Sequence, residues 1–327
     1  MLRGLTTGEK DERLLVGPES FDDAGIVDLR GVEGLPADTN VALVQTVDYF
    51  PPVVDDPYFY GAIAAANSLS DVYAMGGKPL SALNLAGIPR DFPKEWTAEV
   101  FRGGFEKMRE ARCMVAGGHT VASNEALFGF AVTGIVDRRR VAANSGAKLG
   151  DRLYLTKSLG MGTLTTAGKR QKLSWKELEP AARQMATLNS LAADAMNAVR
   201  AHAATDITGF GLVGHARNIA AASAVTLRLE LARMPLFERA HELASAGFLS
   251  GGAKRGRKGL AEDVSIRAGL DETLVNLAFD AETSGGLLIA VSAENAPALE
   301  RELAARSQLV CALGEVLPRA ERLIELV

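Results

Sequence analysis

The chain has 327 residues, of which 47% are hydrophobic and 23% charged, with a formal net charge of −4 and 33 glycines. That length is enough for two domains with cores of their own. The charge balance offers nucleic acid no basic field beyond the short run Lys254 to Lys258. Charges scattered through Met1 to Leu15 interrupt any signal-peptide core, and no stretch reaches the roughly 18 apolar residues of a membrane span. A cytoplasmic protein without nucleic-acid or membrane partners is expected.

In chain order, Val41 to Val47 reads as a strand, Phe59 to Met75 has helical spacing, and Leu80 to Ile88 is extended. A helix over 95–111, a short strand at Met114 and Val115, and a β-rich run from Phe128 to Val136 follow. The polar, glycine-punctuated segment Asp137 to Gly150 suggests a boundary near residue 145, giving domains of 1–145 and 146–327. A strand over 152–156 opens the second half, followed by helical patterns over 175–200, 211–223, 236–246 and 293–306. Gly247 to Gly259, rich in Gly, Ser, Lys and Arg, reads as a surface loop. The expected fold class is mixed α/β. Cys113 and Cys311 are too few for a disulfide framework and read as small hydrophobes.

Acidic residues recur at strand ends and on apolar helices, where an uncompensated charge needs a reason. Asp22 and Asp23 precede an extended run, Asp48 closes the apolar stretch from Val41, and Asp206 opens a glycine-rich loop. In the first helix, Ile63, Asn67 and Asp71 share one face at four-residue steps. Carboxylates gathered without Cys or His ligands suit Mg²⁺, a hard cation commonly shared with phosphates. Each Asp taken alone reads more readily as a helix or turn cap. Glycines at Gly117-Gly118, Gly209 to Gly214 and Gly285-Gly286 are candidate phosphate-holding turns, although none forms a P-loop or dinucleotide fingerprint.

Taken in order, the segments Leu15-Val-Gly-Pro-Glu-Ser-Phe-Asp-Asp-Ala24, Thr46-Val-Asp-Tyr-Phe-Pro51, Ala66-Asn-Ser-Leu-Ser-Asp-Val-Tyr-Ala-Met-Gly-Gly-Lys-Pro79, Ala116-Gly-Gly-His-Thr120, Leu155-Thr-Lys-Ser-Leu-Gly160, Thr205-Asp-Ile-Thr-Gly-Phe-Gly-Leu-Val-Gly-His215 and Glu282-Thr-Ser-Gly-Gly-Leu-Leu288 resemble successive motifs of the selenophosphate synthetase family. The helix around Asn67 to Asp71 is similar to one shared across the aminoimidazole ribonucleotide synthetase-like superfamily, which includes thiamine-monophosphate kinase. The resemblance implies two α/β domains, N-terminal sheets paired in a homodimer, and synthesis of selenophosphate from ATP, selenide and water with release of AMP and phosphate.

Carried over residue by residue, the resemblance implies Asp23, Asp71 and Asp206 as Mg²⁺ ligands, with Asp48 in the nucleotide site. It further implies that Ser20, Phe21, Asp22, Gly118, His119 and Thr120 contact ATP. Asn67 reads as a phosphate donor, a ligand-orienting group or a buried amide, Lys78 and Lys157 as surface charges, His215 as a structural end to the Asp206 loop, and His202 and His241 as helix-surface residues. The family's reactive Cys or selenocysteine and its lysine are expected upstream of Met1. Without them this chain is expected to fold, dimerise and bind Mg–ATP, and to make little selenophosphate. A superfamily enzyme with another acceptor, or a catalytically silent nucleotide-binding paralogue, are the alternatives.

Overall fold

The computed structural model describes residues 11–19, 21–36 and 38–327. Six strands form the first sheet: β1 (Leu14–Val16), β2 (Gly25–Asp28), β3 (Val41–Phe50), β4 (Lys78–Ile88), β5 (Met114–Ala122) and β6 (Leu127–Asp137). Their order is β1-β2-β3-β6-β4-β5, antiparallel except for the parallel β4–β5 pair at one edge. Helices α1 (Pro57–Ala74) and α2 (Lys94–Glu110) cover one face.

The second half is built on β7 (Arg152–Leu155), β8 (Ala203–Asp206), β9 (Thr226–Leu229), β10 (Val264–Ile266), β11 (Leu287–Val291), β12 (Cys311–Leu317) and β13 (Ile324–Leu326). These run in the order β10-β13-β9-β12-β7-β11-β8. Around them pack α3 (Met161–Lys169), α4 (Trp175–Met185), α5 (Ser190–Ala198), α6 (Gly211–Ala222), α7 (Ala240–Ser245), α8 (Gly251–Gly259), α9 (Glu272–Ala278) and α10 (Ala296–Ala305).

Helix α1 holds the two halves together. Asp56 caps it, its side chain accepting from the Phe59 N–H at 2.9 Å, and Pro57 occupies the first turn, where its missing N–H costs nothing. Every residue from Tyr60 to Ala74 is buried, Asn67, Ser68, Ser70 and Asp71 among them, so this stretch of helix has no solvated face. One side meets the first sheet and α2, crossing α2 where Gly61 and Gly103 let backbones touch; a Cβ on Gly61 would lie 1.8 Å from the Val100 carbonyl oxygen. Its other side packs against α4, α5 and β8, so one apolar core runs through both halves.

Three expectations are revised. The pattern over 175–200 forms two helices, because the chain between them is turned aside: the Thr187 carbonyl accepts from Lys157 Nζ at 2.7 Å, and Asn189 Nδ2 donates to Ser70 Oγ at 2.8 Å. The predicted loop over Gly247 to Gly259 contains α8. Ser250 caps it, accepting from the Gly252 N–H at 3.1 Å, and Arg257 ties it to Glu272 and, at 2.8 Å, to Asn276 Oδ1; this anchoring offsets the glycine penalty. The strand at Met114 runs on to Ala122, so Gly117 to Thr120 lie within it rather than at a turn.

Candidate functional site

Alternation along β3 turns Ala42, Val44, Thr46 and Asp48 toward α1 and leaves Val47 and Tyr49 on the open face. Opposite them, Asn67 and Asp71 stand one helical turn apart. The two elements meet through these polar groups: Asn67 Nδ2 donates to Asp48 Oδ2 at 2.7 Å, and the Thr46 hydroxyl donates to Asp71 Oδ2. Asp48 lies inside the strand, not at its end.

Asp206 ends β8 and is 1% exposed. The neighbouring Thr205 hydroxyl donates to Asp23 Oδ1 at 2.8 Å, which draws the loop before β2 against the second sheet. Ligand atoms of Asp23, Asp206 and His215 lie within 4.8 Å of one another. His215 has partners at both ring nitrogens: Nε2 accepts from the Thr208 N–H at 3.2 Å, leaving Nδ1 to carry the hydrogen toward Thr205 Oγ1 at 3.3 Å. It therefore orients Thr205, and the carboxylates remain the available donors.

Four carboxylates thus converge, and burial pushes each toward its neutral form. Asp23 and Asp71 are raised well above the usual range, first by burial and then by the charge of Asp206. Asp48 is pushed up to about 7 by burial and then by Asp206, against the opposing hydrogen bond from Asn67. Burial lifts Asp206 to about 6, opposed by a hydrogen bond from Ser70 and the charge of Lys157. Asp23 Oδ2 and Asp206 Oδ2 are sealed from solvent with no hydrogen-bond partner. A buried carboxylate oxygen left bare costs about 1–3 kcal/mol or more unless something positive meets it. An all-oxygen set of this kind fits a hard divalent cation.

Lys157, read from sequence as a surface charge, is only 7% exposed. Its ammonium donates to the carbonyls of Thr187 (2.7 Å) and Ser284 (2.9 Å), and burial lowers its pKa to about 7 although Asp206 favours the charged form. Close packing at Gly285 and Gly286 brings the chain against this residue: a Cβ on the first would lie 2.2 Å from the Ile207 carbonyl oxygen, and on the second 2.4 Å from the backbone nitrogen of Lys157. This glycine pair serves strand-end packing. Ser284, at φ 50°, donates its N–H to Asn67 Oδ1 at 2.9 Å. Glu282 accepts from the N–H groups of Gly160 (2.7 Å) and Met161 (2.9 Å) at the start of α3.

The remaining candidates lie farther out. Phe21 is exposed at φ 52°, and the adjacent Asp22 accepts the Asn144 N–H at 2.6 Å. Ser20 and the segment Met1 to Lys10 fall outside the described residues, as do the thiol and lysine expected before Met1. Gly118, His119 and Thr120 sit exposed on edge strand β5, separated from β3 by β6 and β4, roughly 14 Å away within one chain. His241 is on α7 beside Asp271, whereas His202 is not on a helix: it precedes β8, with Nδ1 2.9 Å from Asp151. Lys78 is exposed at the start of β4, Cys113 is buried, and Cys311 is half-buried with Sγ against the Arg233 carbonyl. Thr46, Thr205 and Ser284 join the site unforeseen as polar partners; Thr46 and Thr205 stand beside Asp48 and Asp206 in sequence, whereas nothing local signalled Ser284, and His215 keeps the structural place expected of it at the end of the Asp206 loop.

Residues 21–136 match the AIR synthase related protein N-terminal domain, and residues 148–324 match the corresponding C-terminal domain. A selenide, water dikinase from Caldanaerobacter subterraneus is 47% identical over 293 residues, 90% of this chain and 82% of that protein. One from Geobacter metallireducens is 43% identical over 324 residues, covering 99% and 92%. Among solved structures, a thiamine-monophosphate kinase from Stenotrophomonas maltophilia superposes with a TM-score of 0.71 at 20% identity, covering 97% of this chain and 92% of that one. The hydrogenase maturation protein HypE in complex with ATP gives 0.66 at 19% identity, covering 97% and 88%, and these two likenesses establish the fold. With a two-sheet architecture, paired family domains and relatives above 40% identity over most of its length, the chain belongs to the selenide, water dikinase family of AIR synthase related proteins.

Proposed function

We propose that this chain synthesises selenophosphate from ATP, selenide and water, with AMP and phosphate as the other products. The observation that carries the mechanistic part is the convergence of Asp23, Asp48, Asp71 and Asp206 around buried oxygens that no protein donor meets. Asp23, Asp71 and Asp206 are the proposed Mg²⁺ ligands, with Asp48 beside them in the nucleotide site. Once bound, Mg²⁺ supplies positive charge opposite the phosphate oxygens of the transferring groups.

The chain's own residues orient and exclude. Thr46 and Thr205 hold one oxygen each of Asp71 and Asp23, leaving the second oxygen of each carboxylate to face the site. Asn67 fixes Asp48 and the Ser284 loop at once. Lys157, tied to two carbonyls below Asp206, offsets carboxylate repulsion from the protein side. Phe21 and Asp22 form the rim, where ATP contacts are proposed together with Ser20.

A homodimer completes this reading. The open face of the first sheet exposes Val47 and Tyr49 (55% each), Leu83 (50%) and Val121 (49%), a larger apolar array than scattered surface residues make. The ATP contacts proposed for Gly118, His119 and Thr120 would then be made across the dimer, because within one chain β6 and β4 separate them from β3.

The test is product analysis. Selenide-dependent release of AMP and orthophosphate that requires Mg²⁺ is expected, whereas ADP formation on thiamine monophosphate, without selenide, would refute the assignment.

A further inference from the structure

On the other side of the linker from the carboxylates lies a cleft of about 590 Å³, bounded by the 3-10 turn Arg138–Arg140, Lys148 and the segment after α5. Its charged lining is one-sided. Arg139, Arg140, Lys148 and Arg200 contribute guanidinium or ammonium groups, His202 adds an imidazole, and no carboxylate lines it. Arg139 is already spent on Asp137 at 2.7 Å. Among the described residues Arg140, Lys148 and Arg200 make no ion pair within 4 Å, although the Asp137 carboxylate also feels the charge of Arg140. In a chain of net charge −4, such a concentration is not a general surface property.

The imidazole is held in place from behind. Asp151, 2% exposed, lies 2.9 Å from His202 Nδ1 through both of its oxygens and also accepts the Lys148 N–H at 2.8 Å. A carboxylate partner requires the hydrogen on Nδ1, so Nε2 is the nitrogen turned outward, 3.4 Å from Lys148 Nζ. The C-terminal carbonyls of α5 explain a cation at Arg200. They do not explain Arg140 and Lys148 on the opposing wall. Like charges facing one another across a cleft raise the energy of the empty site and lower it when an anion enters.

We infer that this cleft is a second anion site, built for a dianionic phosphate group held by Arg140, Arg200 and Lys148, with the His202 Nε2 lone pair placing the Lys148 ammonium. Its volume lies in the range of small-ligand pockets and admits either free orthophosphate or the phosphate of a nucleoside monophosphate. The inference stands independently of the selenide reaction, because none of these residues belongs to the carboxylate site. An occupant would also brace the linker, whose Asn144 donates its N–H to Asp22 at 2.6 Å and its Nδ2–H to the Phe21 carbonyl at 3.0 Å.

The experiment is a calorimetric titration of the full chain with inorganic phosphate, and separately with AMP, in EDTA. Without a divalent cation the carboxylate site repels anions, so binding there is suppressed. One phosphate site is expected, weakened by added salt. In Arg140→Gln combined with Arg200→Asn, asparagine being chosen for the left-handed backbone at φ 54°, affinity should fall more than about tenfold. Lys148→Gln should weaken binding in the same direction while leaving the phosphate-free melting temperature near that of the parent, which separates ligand loss from misfolding. AMP binding tighter than phosphate identifies a nucleotide as the occupant, and equal or weaker binding identifies orthophosphate. No phosphate binding up to about 10 mM, or undiminished binding in both variants, overturns the proposal.

Discussion

The Asn67 side chain accepts a hydrogen bond at 2.9 Å from the backbone N–H of Ser284, a residue 217 positions later in the chain. The same amide donates to Asp48, so one side chain sets β3 and the Ser284 loop relative to α1. Asn67→Ala should strand a buried N–H and a buried carboxylate together, costing about 2–4 kcal/mol in denaturant unfolding. A change within about 0.5 kcal/mol would show that the amide is dispensable to the fold.

Neutralising a proposed ligand should act differently. Asp71→Asn and Asp206→Asn replace carboxyls whose charged form burial disfavours, so the metal-free protein is expected to be as stable as the parent or more so. Mg²⁺-dependent ATP affinity, followed by calorimetry with and without the cation, should fall at least about tenfold. Unchanged Mg–ATP binding in both variants would rule out the ligand assignment.

The pH dependence of stability in EDTA follows from the same groups. Asp48 (about 7), Asp206 (about 6) and Glu282 (about 8) have folded pKa values above their unfolded ones, so the native state holds protons that the unfolded chain has released. The stability they contribute is full below about pH 4 and is lost as pH rises through 6 to 8. Two groups have the opposite slope: Lys157, lowered to about 7, acts only above pH 7, and His215, lowered to about 4 by burial, offsets part of the decline up to its ordinary value of 6.5. Melting temperature should therefore decline from pH 5 to 7, by an amount on the order of a few kcal/mol in stability, and Asp48→Asn should flatten the decline. A rise over that interval in EDTA would contradict the buried-carboxylate account.

For the sheet face, Tyr49→Asp and Leu83→Asp replace side chains that are 55% and 50% exposed in a single chain. Each should cost the isolated fold within about 0.5 kcal/mol while placing a charge at the centre of the proposed interface. Light scattering is expected to show monomers, with ATP binding weakened in parallel. Dimers that persist in both variants would place the interface elsewhere.

What the sequence made legible were features carried by local periodicity. The four-residue spacing already put Asn67 and Asp71 on one face of a helix, whereas Asp48 read only as the end of the apolar stretch from Val41, and its direction became visible once the strand was seen to run on to Phe50. Asp23 and Asp206 were legible only as members of a motif series, because the contact between them is made across 182 residues by Thr205. Lys157 was misread, since its burial depends on two glycines near the far end of the chain and on a carbonyl exposed where the 175–200 pattern breaks. Helix α8 was hidden for a similar reason: its glycines argue against helix, and its anchor to α9 leaves no local pattern.

The burial of α1 from Tyr60 to Ala74 also bears on how the molecule can come apart. Unfolding either half would leave an apolar cylinder with one side suddenly facing water, so neither sheet can melt without pulling the other toward melting. Heating should give one heat-absorption peak rather than two, and a protease that cuts the linker should leave fragments that stay associated until that same temperature. The carboxylates anchored on this helix would keep their mutual geometry up to the point at which the whole structure is lost.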